Sequence, residues 1–328
     1  MNKQQQKWLY LTVLSIVWGS SFILIKKALL GVTPVQLGAL RMIFTSFFMF
    51  LFAFPSVKKI QKKHWKYLLY TALTGTFIPG FLFAFAISNI DSSIVSILNS
   101  FTPLNTLIFG ALVFGFAFKK RQFTGILVGL LGTLILILKG ADLHPNQNYW
   151  FALLIIIASI GYAFNANLVK KYLSDLDALA ITTGNFLLLF IPAIIVLSCT
   201  DFFTSFEATQ VRLTSLGYIG ILSVVGTGIA KTIYNKLVQI SDPIFSASVT
   251  YLIPIVAIFW GILDGETLSL SGHEVPKDAY QDVLVTDIDA LTQLVRKQIS
   301  FTQLTDLGLF YQTQATPEFQ RLMTNTFG

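Results

Sequence analysis

A cation or an amide inside an apolar stretch is costly to keep in a low-dielectric medium. Such residues are held where they face protein or a water-filled cavity, and there they can bind a polar solute. Two cations qualify, Arg41 and Lys231. Arg41 sits about seven residues into an apolar run, where its planar fork of donors suits a carboxylate or another anion. Snorkelling, or a structural bond to helix-end carbonyls, is the competing reading. Lys231 lies less than two turns from the end of its run and can also snorkel. Asn99, Asn105, Asn165, Asn167 and Asn235 add uncharged hydrogen-bonding capacity. Each taken singly reads as interhelical glue worth about 1 kcal/mol or less, whereas together they line a path.

Helix-breaking residues sharpen this reading. Asn99 precedes Pro103 by four residues, so the proline removes the bond its nitrogen would have made to the Asn99 carbonyl. That freed carbonyl is an expected substrate contact, and Pro254 does the same to the Thr250 carbonyl. Pro79 and Gly226-Thr227-Gly228 mark further places where helices can bend. Trp18, Tyr162, Tyr234 and Tyr251 are aromatics deep enough in their runs to wall a cavity. The expected substrate contacts are therefore Trp18, Arg41, Asn99, Pro103, Asn165, Asn185, Lys231, Tyr234 and Tyr251, with helix breaks at Pro79, Gly226, Gly228 and Pro254.

Other chemistry finds little support. One cysteine, Cys199, and three scattered histidines, His64, His144 and His273, give no metal or redox set. No phosphate-binding Gly-Lys loop occurs, so direct ATP drive is excluded for this chain. No catalytic constellation is present, and neither enzymatic activity nor a cofactor is expected. Asp91 and Asp242 fall at helix starts and read as N-caps.

The elements that must position these residues are membrane helices. Of 328 residues, 54% are apolar and only 12% charged, against about 25% charged in soluble domains, and mean hydropathy is +0.69. Crossing the hydrocarbon core takes roughly 20 apolar residues at about 1.5 Å each. Nine stretches qualify, at 8–30, 34–54, 67–88, 92–118, 123–138, 149–169, 178–198, 214–237 and 243–263. The fifth is short and is expected to gain length from snorkelling of Gln122 and Lys139.

Charge sets the expected orientation. With the N-terminus cytoplasmic, thirteen Lys and Arg fall in the inner segments and four, Lys26, Lys27, Lys139 and Arg212, in the outer ones. Lys3 and Lys7 followed by an apolar run mimic a secretory signal, but apolar sequence continues through Ile25, so an uncleaved helix is expected. Basic loop charge of this kind is explained by topology, and nucleic-acid binding is not expected. Localisation is expected in the cell membrane, multi-pass.

The chain also aligns on itself. Gly19-Ser20-Ser21-Phe22 lies over Gly161-Tyr162-Ala163-Phe164, and both Asp91 to Pro103 and Asp242 to Pro254 span 12 residues. Asn185 is then the counterpart of Arg41. Five spans form the unit, and an odd number places the two copies in opposite orientations, the inverted-repeat plan of many secondary transporters.

Trp18-Gly19-Ser20-Ser21-Phe22, Arg41, Thr102-Pro103-Leu104, Leu252-Ile253-Pro254 and Gly265-Glu266 together resemble the EamA branch of the drug/metabolite transporter superfamily. The resemblance covers residues 1 to about 271. It implies ten helices in two inverted five-helix units, a cavity between them, and export or exchange of small metabolites. The expected fold is thus an all-α polytopic membrane protein built from two such units, 1–139 and 140–271, with the tenth helix missing or replaced. Where relatives continue into that helix, this chain reads Gly272-His273-Glu274-Val275-Pro276-Lys277. Residues 272–328 are a polar tail of net charge −3 against +10 for the rest, and parity places it outside. Expected partners are the lipid bilayer, a small-molecule substrate and, in a homodimer, a second copy. The alternative is a non-transporting membrane protein, a sensor or lesioned transporter with an extracytoplasmic tail.

Overall fold

A computed structural model describes residues 2–143 and 149–264, with side chains described for 2–132 and 150–264. These residues fall in one compact unit, Met1–Leu268. The expected tail at 272–328 and the motif Gly265-Glu266 lie outside the described residues.

Every regular element among the described residues is helical. Helix α1 (Lys3–Ala28) starts five residues before its expected position because Asn2 and Gln5 cap each other, Gln5 N to Asn2 Oδ1 at 2.8 Å and Asn2 N to Gln5 Oε1 at 3.0 Å. Thr33 caps α2 (Pro34–Ala53), whose first residue is a proline already set in helical φ. The third crossing is α3 (Trp65–Ala72), a π-helical turn Leu73–Phe77, and α4 (Ile78–Ile87). The fourth is α5 (Ser92–Leu98), a 3₁₀ turn Asn99–Phe101, and α6 (Thr102–Leu112). It ends six residues short of the expected Phe118, since Gly115 turns the chain at φ 71° and Phe116 N bonds back to Gly110 O at 2.9 Å. Helix α7 (Lys120–Leu143) has 24 residues and extends past the expected 123–138 at both ends.

Among the described residues the second half repeats the order of the first four crossings. It runs α8 (Ala152–Tyr172), α9 (Ala178–Ser198), α10 (Gln210–Ile221), a π-helical turn Leu222–Ile229, α11 (Ala230–Ile240), the short α12 (Pro243–Ala247) and α13 (Val249–Leu263). Asp177 caps α9, Thr209 caps α10 and Asp242 caps α12, the last through Phe245 N at 2.9 Å. Among the described residues eight helical stretches are long and apolar enough to cross a membrane, and α7 is the remaining expected span. The protein is an all-α polytopic membrane protein.

Lipid tails are as apolar as leucine, so burial from water does not drive these helices together; close packing and hydrogen bonds do. Helix α2 packs on α9, α1 on α13, α6 on α8, α1 on α11 and α4 on α8. Exchanging each helix for its counterpart in the other half maps this set onto itself. Small residues permit the approach: a Cβ on Gly19 would stand 2.5 Å from Val256 Cβ, and one on Gly161 2.6 Å from the Thr74 carbonyl oxygen.

Candidate functional site

A cavity with about 980 Å³ of unfilled space, its mouth included, lies where α1, α2, α4, α8, α11, α13, both π-helical turns, the 3₁₀ turn Asn99–Phe101 and the start of α6 meet. Trp18, Arg41, Asn99, Asn165, Lys231 and Tyr234 line it, as does Gly226. The sequence placed these residues in five different spans, and the fold brings them to one place.

The two π-helical turns organise this site. A π turn leaves carbonyls without their usual intrahelical partners, and inside a membrane these must find donors. Each turn finds them on the opposite half. In the second-half turn, the Gly226 carbonyl accepts the Trp18 indole N–H at 3.0 Å and the Ser223 carbonyl accepts the Thr45 hydroxyl at 3.0 Å. Arg41 Nε donates to Thr227 Oγ1 at 2.7 Å, while that hydroxyl donates to the Leu222 carbonyl five residues back. In the first-half turn, the Lys231 ammonium donates to the Gly75 carbonyl at 2.8 Å and to Thr76 Oγ1. Lys231 is 6% exposed, so it points inward and does not snorkel.

Rings build the walls. Trp18 meets Tyr234 at 5.2 Å between centroids, and Phe22, Phe83 and Tyr162 form a chain with both spacings at 5.8 Å. The Asn165 carboxamide, 3% exposed, makes no hydrogen bond to any described residue, and its Oδ1 has no partner.

Three expected contacts stand elsewhere. Pro103 is buried at the start of α6 outside the cavity lining, Asn185 is buried against Thr71 at 3.1 Å, and Tyr251 packs on Gly129 with its hydroxyl 3.5 Å from the Ile126 carbonyl. The expected free carbonyls are also already engaged. The Asn99 carbonyl accepts the Thr102 hydroxyl at 2.7 Å, and the Thr250 carbonyl accepts Ser100 Oγ at 2.9 Å. A hydroxyl supplies the donor that each proline withdrew, from one turn along the same helix for Asn99 and from the fourth crossing for Thr250. Pro79, Gly228 and Pro254 shape their helices without lining the cavity. Asn105, Asn167 and Asn235 make interhelical bonds, to Ser159 Oγ at 2.7 Å, the Thr106 carbonyl at 3.1 Å and Thr182 Oγ1 at 3.1 Å.

Sequence reading had passed over Gly75, Thr76 and Thr227 as contacts. The signal was present: Thr74-Gly75-Thr76 and Gly226-Thr227-Gly228 stand at matched places in the two halves.

Charged pairs join the halves at both ends. At one end Lys59 meets Asp177 at 2.9 Å, Lys63 meets Asp175 at 2.7 Å, and His64 Nε2 stands 3.2 Å from Asp175, beside Tyr67 stacked on Tyr172 at 4.1 Å. The Lys63 and His64 hydrogen bonds hold the Asp175 carboxyl below the usual range, and Lys59 with the Leu179 N–H does so for Asp177. At the other end Lys26 meets Asp264 at 2.9 Å and Lys27 joins it. Burial raises the Asp264 carboxyl, yet the two lysines outweigh it and the net direction is downward. Among the described residues no group of acidic, histidine or cysteine side chains could hold a metal ion.

The EamA-like transporter family matches this chain over residues 6–138 and again over 149–272. The chain belongs to the EamA-like transporter family. Among its relatives is the uncharacterized inner membrane transporter YedA of Escherichia coli strain K12, 29% identical over 265 residues, 79% of this chain and 83% of that one. The uncharacterized transporter YvbV of Bacillus subtilis strain 168 is 24% identical over 256 residues, 76% of this chain and 81% of its own length. A solved crystal structure shares the fold at a TM-score of 0.62 with 16% identity, covering 82% of this chain and 91% of that one. As an EamA-family member the chain is a multi-pass membrane protein of a transporter family.

Proposed function

We propose that this chain is a secondary transporter that exports or exchanges small organic metabolites, amino-acid-like or drug-like, by alternating access at the central cavity. The observation that carries this reading is the reciprocal clasp across the cavity. Trp18 and Arg41 of the first half hold the π turn of the second, while Lys231 of the second half holds the π turn of the first. Helix interruptions at matched places in two repeats are where secondary transporters put their substrate site. Rocking one half against the other would break and remake these bonds around a bound solute.

Two units, 1–139 and 140–271, related by an inverted two-fold axis, account for the packing set that maps onto itself, since a two-fold contact must be self-complementary. The thirteen-to-four distribution of basic residues places the N-terminus in the cytoplasm. The Lys59, Lys63 and His64 cluster is then at the inner mouth and Asp264 at the outer.

An efflux assay tests the proposal. Cells loaded with a labelled panel of amino acids, organic acids and amines should lose at least one solute faster when they make the chain than when they do not. Equal exit of every solute, with the chain present in the membrane, overturns it.

A further inference from the structure

We infer that the cavity takes an organic solute bearing a carboxylate on an apolar body, rather than an amine or a neutral compound. This rests on the transporter reading and narrows its substrate. Two charged side chains line the cavity, Arg41 and Lys231, and no acidic residue is among the lining residues described. Two like charges held in a poorly solvated space are each unfavourable and repel one another. An arriving anion neutralises one and relieves the repulsion, whereas an ammonium group adds a third positive charge.

The geometry of Arg41 gives the anion its shape. Its Nε is committed to Thr227 Oγ1 at 2.7 Å, which fixes the plane of the guanidinium. The two terminal nitrogens make no hydrogen bond to any described residue and remain as a parallel pair of donors at the tip of the fork. Parallel donors match the two oxygens of a carboxylate. Lys231 is held by two acceptors of the first-half π turn and keeps further donor capacity, since an ammonium has three N–H bonds. The unbonded carboxamide of Asn165 offers another polar contact. Around these groups stand Trp18, Phe22, Phe83, Tyr162, Met42 and Ile253, so the remainder of the solute meets an apolar wall.

The test compares three probes that share one body: 3-phenylpropionate, 3-phenylpropanamide and 3-phenylpropylamine. Binding to the full chain in lipid nanodiscs is measured by titration calorimetry, and flux of each probe by counterflow in proteoliposomes. The carboxylate should bind at least tenfold more tightly than the amide or the amine. Arg41→Lys keeps the charge and loses the fork, and should weaken carboxylate binding tenfold or more; Lys231→Met should weaken carboxylate binding more than it weakens amide binding. The wild-type series needs no variant to fold. The inference is overturned if the amide or amine binds as tightly as the carboxylate, if no probe binds, or if a folded Arg41→Lys variant binds the carboxylate unchanged. Carboxylate binding without flux would instead overturn the transporter reading and leave the anion site standing. Flux of the amine or amide without carboxylate preference would do the reverse.

Discussion

Arg41 and Thr227 meet across the interface between the two halves, the guanidinium Nε donating to the threonine hydroxyl at 2.7 Å inside a π-helical turn. One hydroxyl therefore orients the cavity's guanidinium and also closes its own turn on the Leu222 carbonyl. Thr227→Val keeps the shape and removes both bonds. A hydrogen bond to a charged group contributes about 1.5–3 kcal/mol, so the apparent KM for the transported solute is expected to rise roughly tenfold or more. Thr227→Ser should restore most of it. Unchanged kinetics in the valine variant would show that the guanidinium is fixed by something else.

Helix packing makes a second expectation. Gly19→Ala puts a Cβ 2.5 Å from Val256 Cβ and 3.0 Å from the Ile253 carbonyl oxygen, so α1 and α13 must separate. Overpacking of this sort costs about 1–3 kcal/mol. Gly125 has nothing within 4 Å of the corresponding position, and Gly125→Ala is the control. Thermal unfolding in detergent should drop for the first variant alone.

Acid should loosen one mouth. The folded-state carboxyls of Asp175 and Asp177 sit below their ordinary value, so their ion pairs contribute fully above the unfolded value near pH 4 and are lost as pH falls through the folded one. The facing groups are Lys63 and His64 for Asp175, and Lys59 with Lys236 more distantly for Asp177. All these carboxyls are well exposed and each pair is weak. Spin labels at Lys58 and Ser174 should therefore hold one distance between about pH 5 and 8 and broaden below about pH 4. Asp175→Asn combined with Asp177→Asn should broaden it already at neutral pH. A distribution independent of pH and of both substitutions would refute the link.

Topology is testable on the natural thiol. Cys199 is the only cysteine in the chain and is exposed at the end of α9. With the N-terminus inside, it lies on the outer face and should react with an impermeant maleimide in intact cells. Lys62→Cys in a Cys199→Ser background should react only after the membrane is opened. The opposite pattern would invert the orientation.

Spans were legible because apolar length is a one-dimensional property: 178–198 and 243–263 coincide with α9 and with α12 plus α13. The end of the fourth span was not, because Phe114, Phe116 and Phe118 read as apolar while a single Gly115 at φ 71° decides the backbone. In the cavity, Arg41 and Lys231 stood out because a charge among apolar neighbours is conspicuous whatever the fold. Asn99 and Asn165 could not be told from Asn105, Asn167 and Asn235 by type or by depth. Which face of a helix an amide occupies depends on the partner helix, and Asn185 was claimed by Thr71. Pro103 and Pro254 were rightly read as withdrawing a donor, but the replacement hydroxyls of Thr102 and Ser100 are visible only in three dimensions.

The contact between Gly19 and Val256 joins two residues 237 positions apart in the chain. At about 5–20 residues per second of synthesis, the face of α1 that will receive α13 waits roughly 10–50 s after its own emergence for that partner to be made. For that interval the first helix stands in the bilayer with its small-residue face against lipid or another helix, so its correct pairing is a matter of timing during biogenesis as well as of fit.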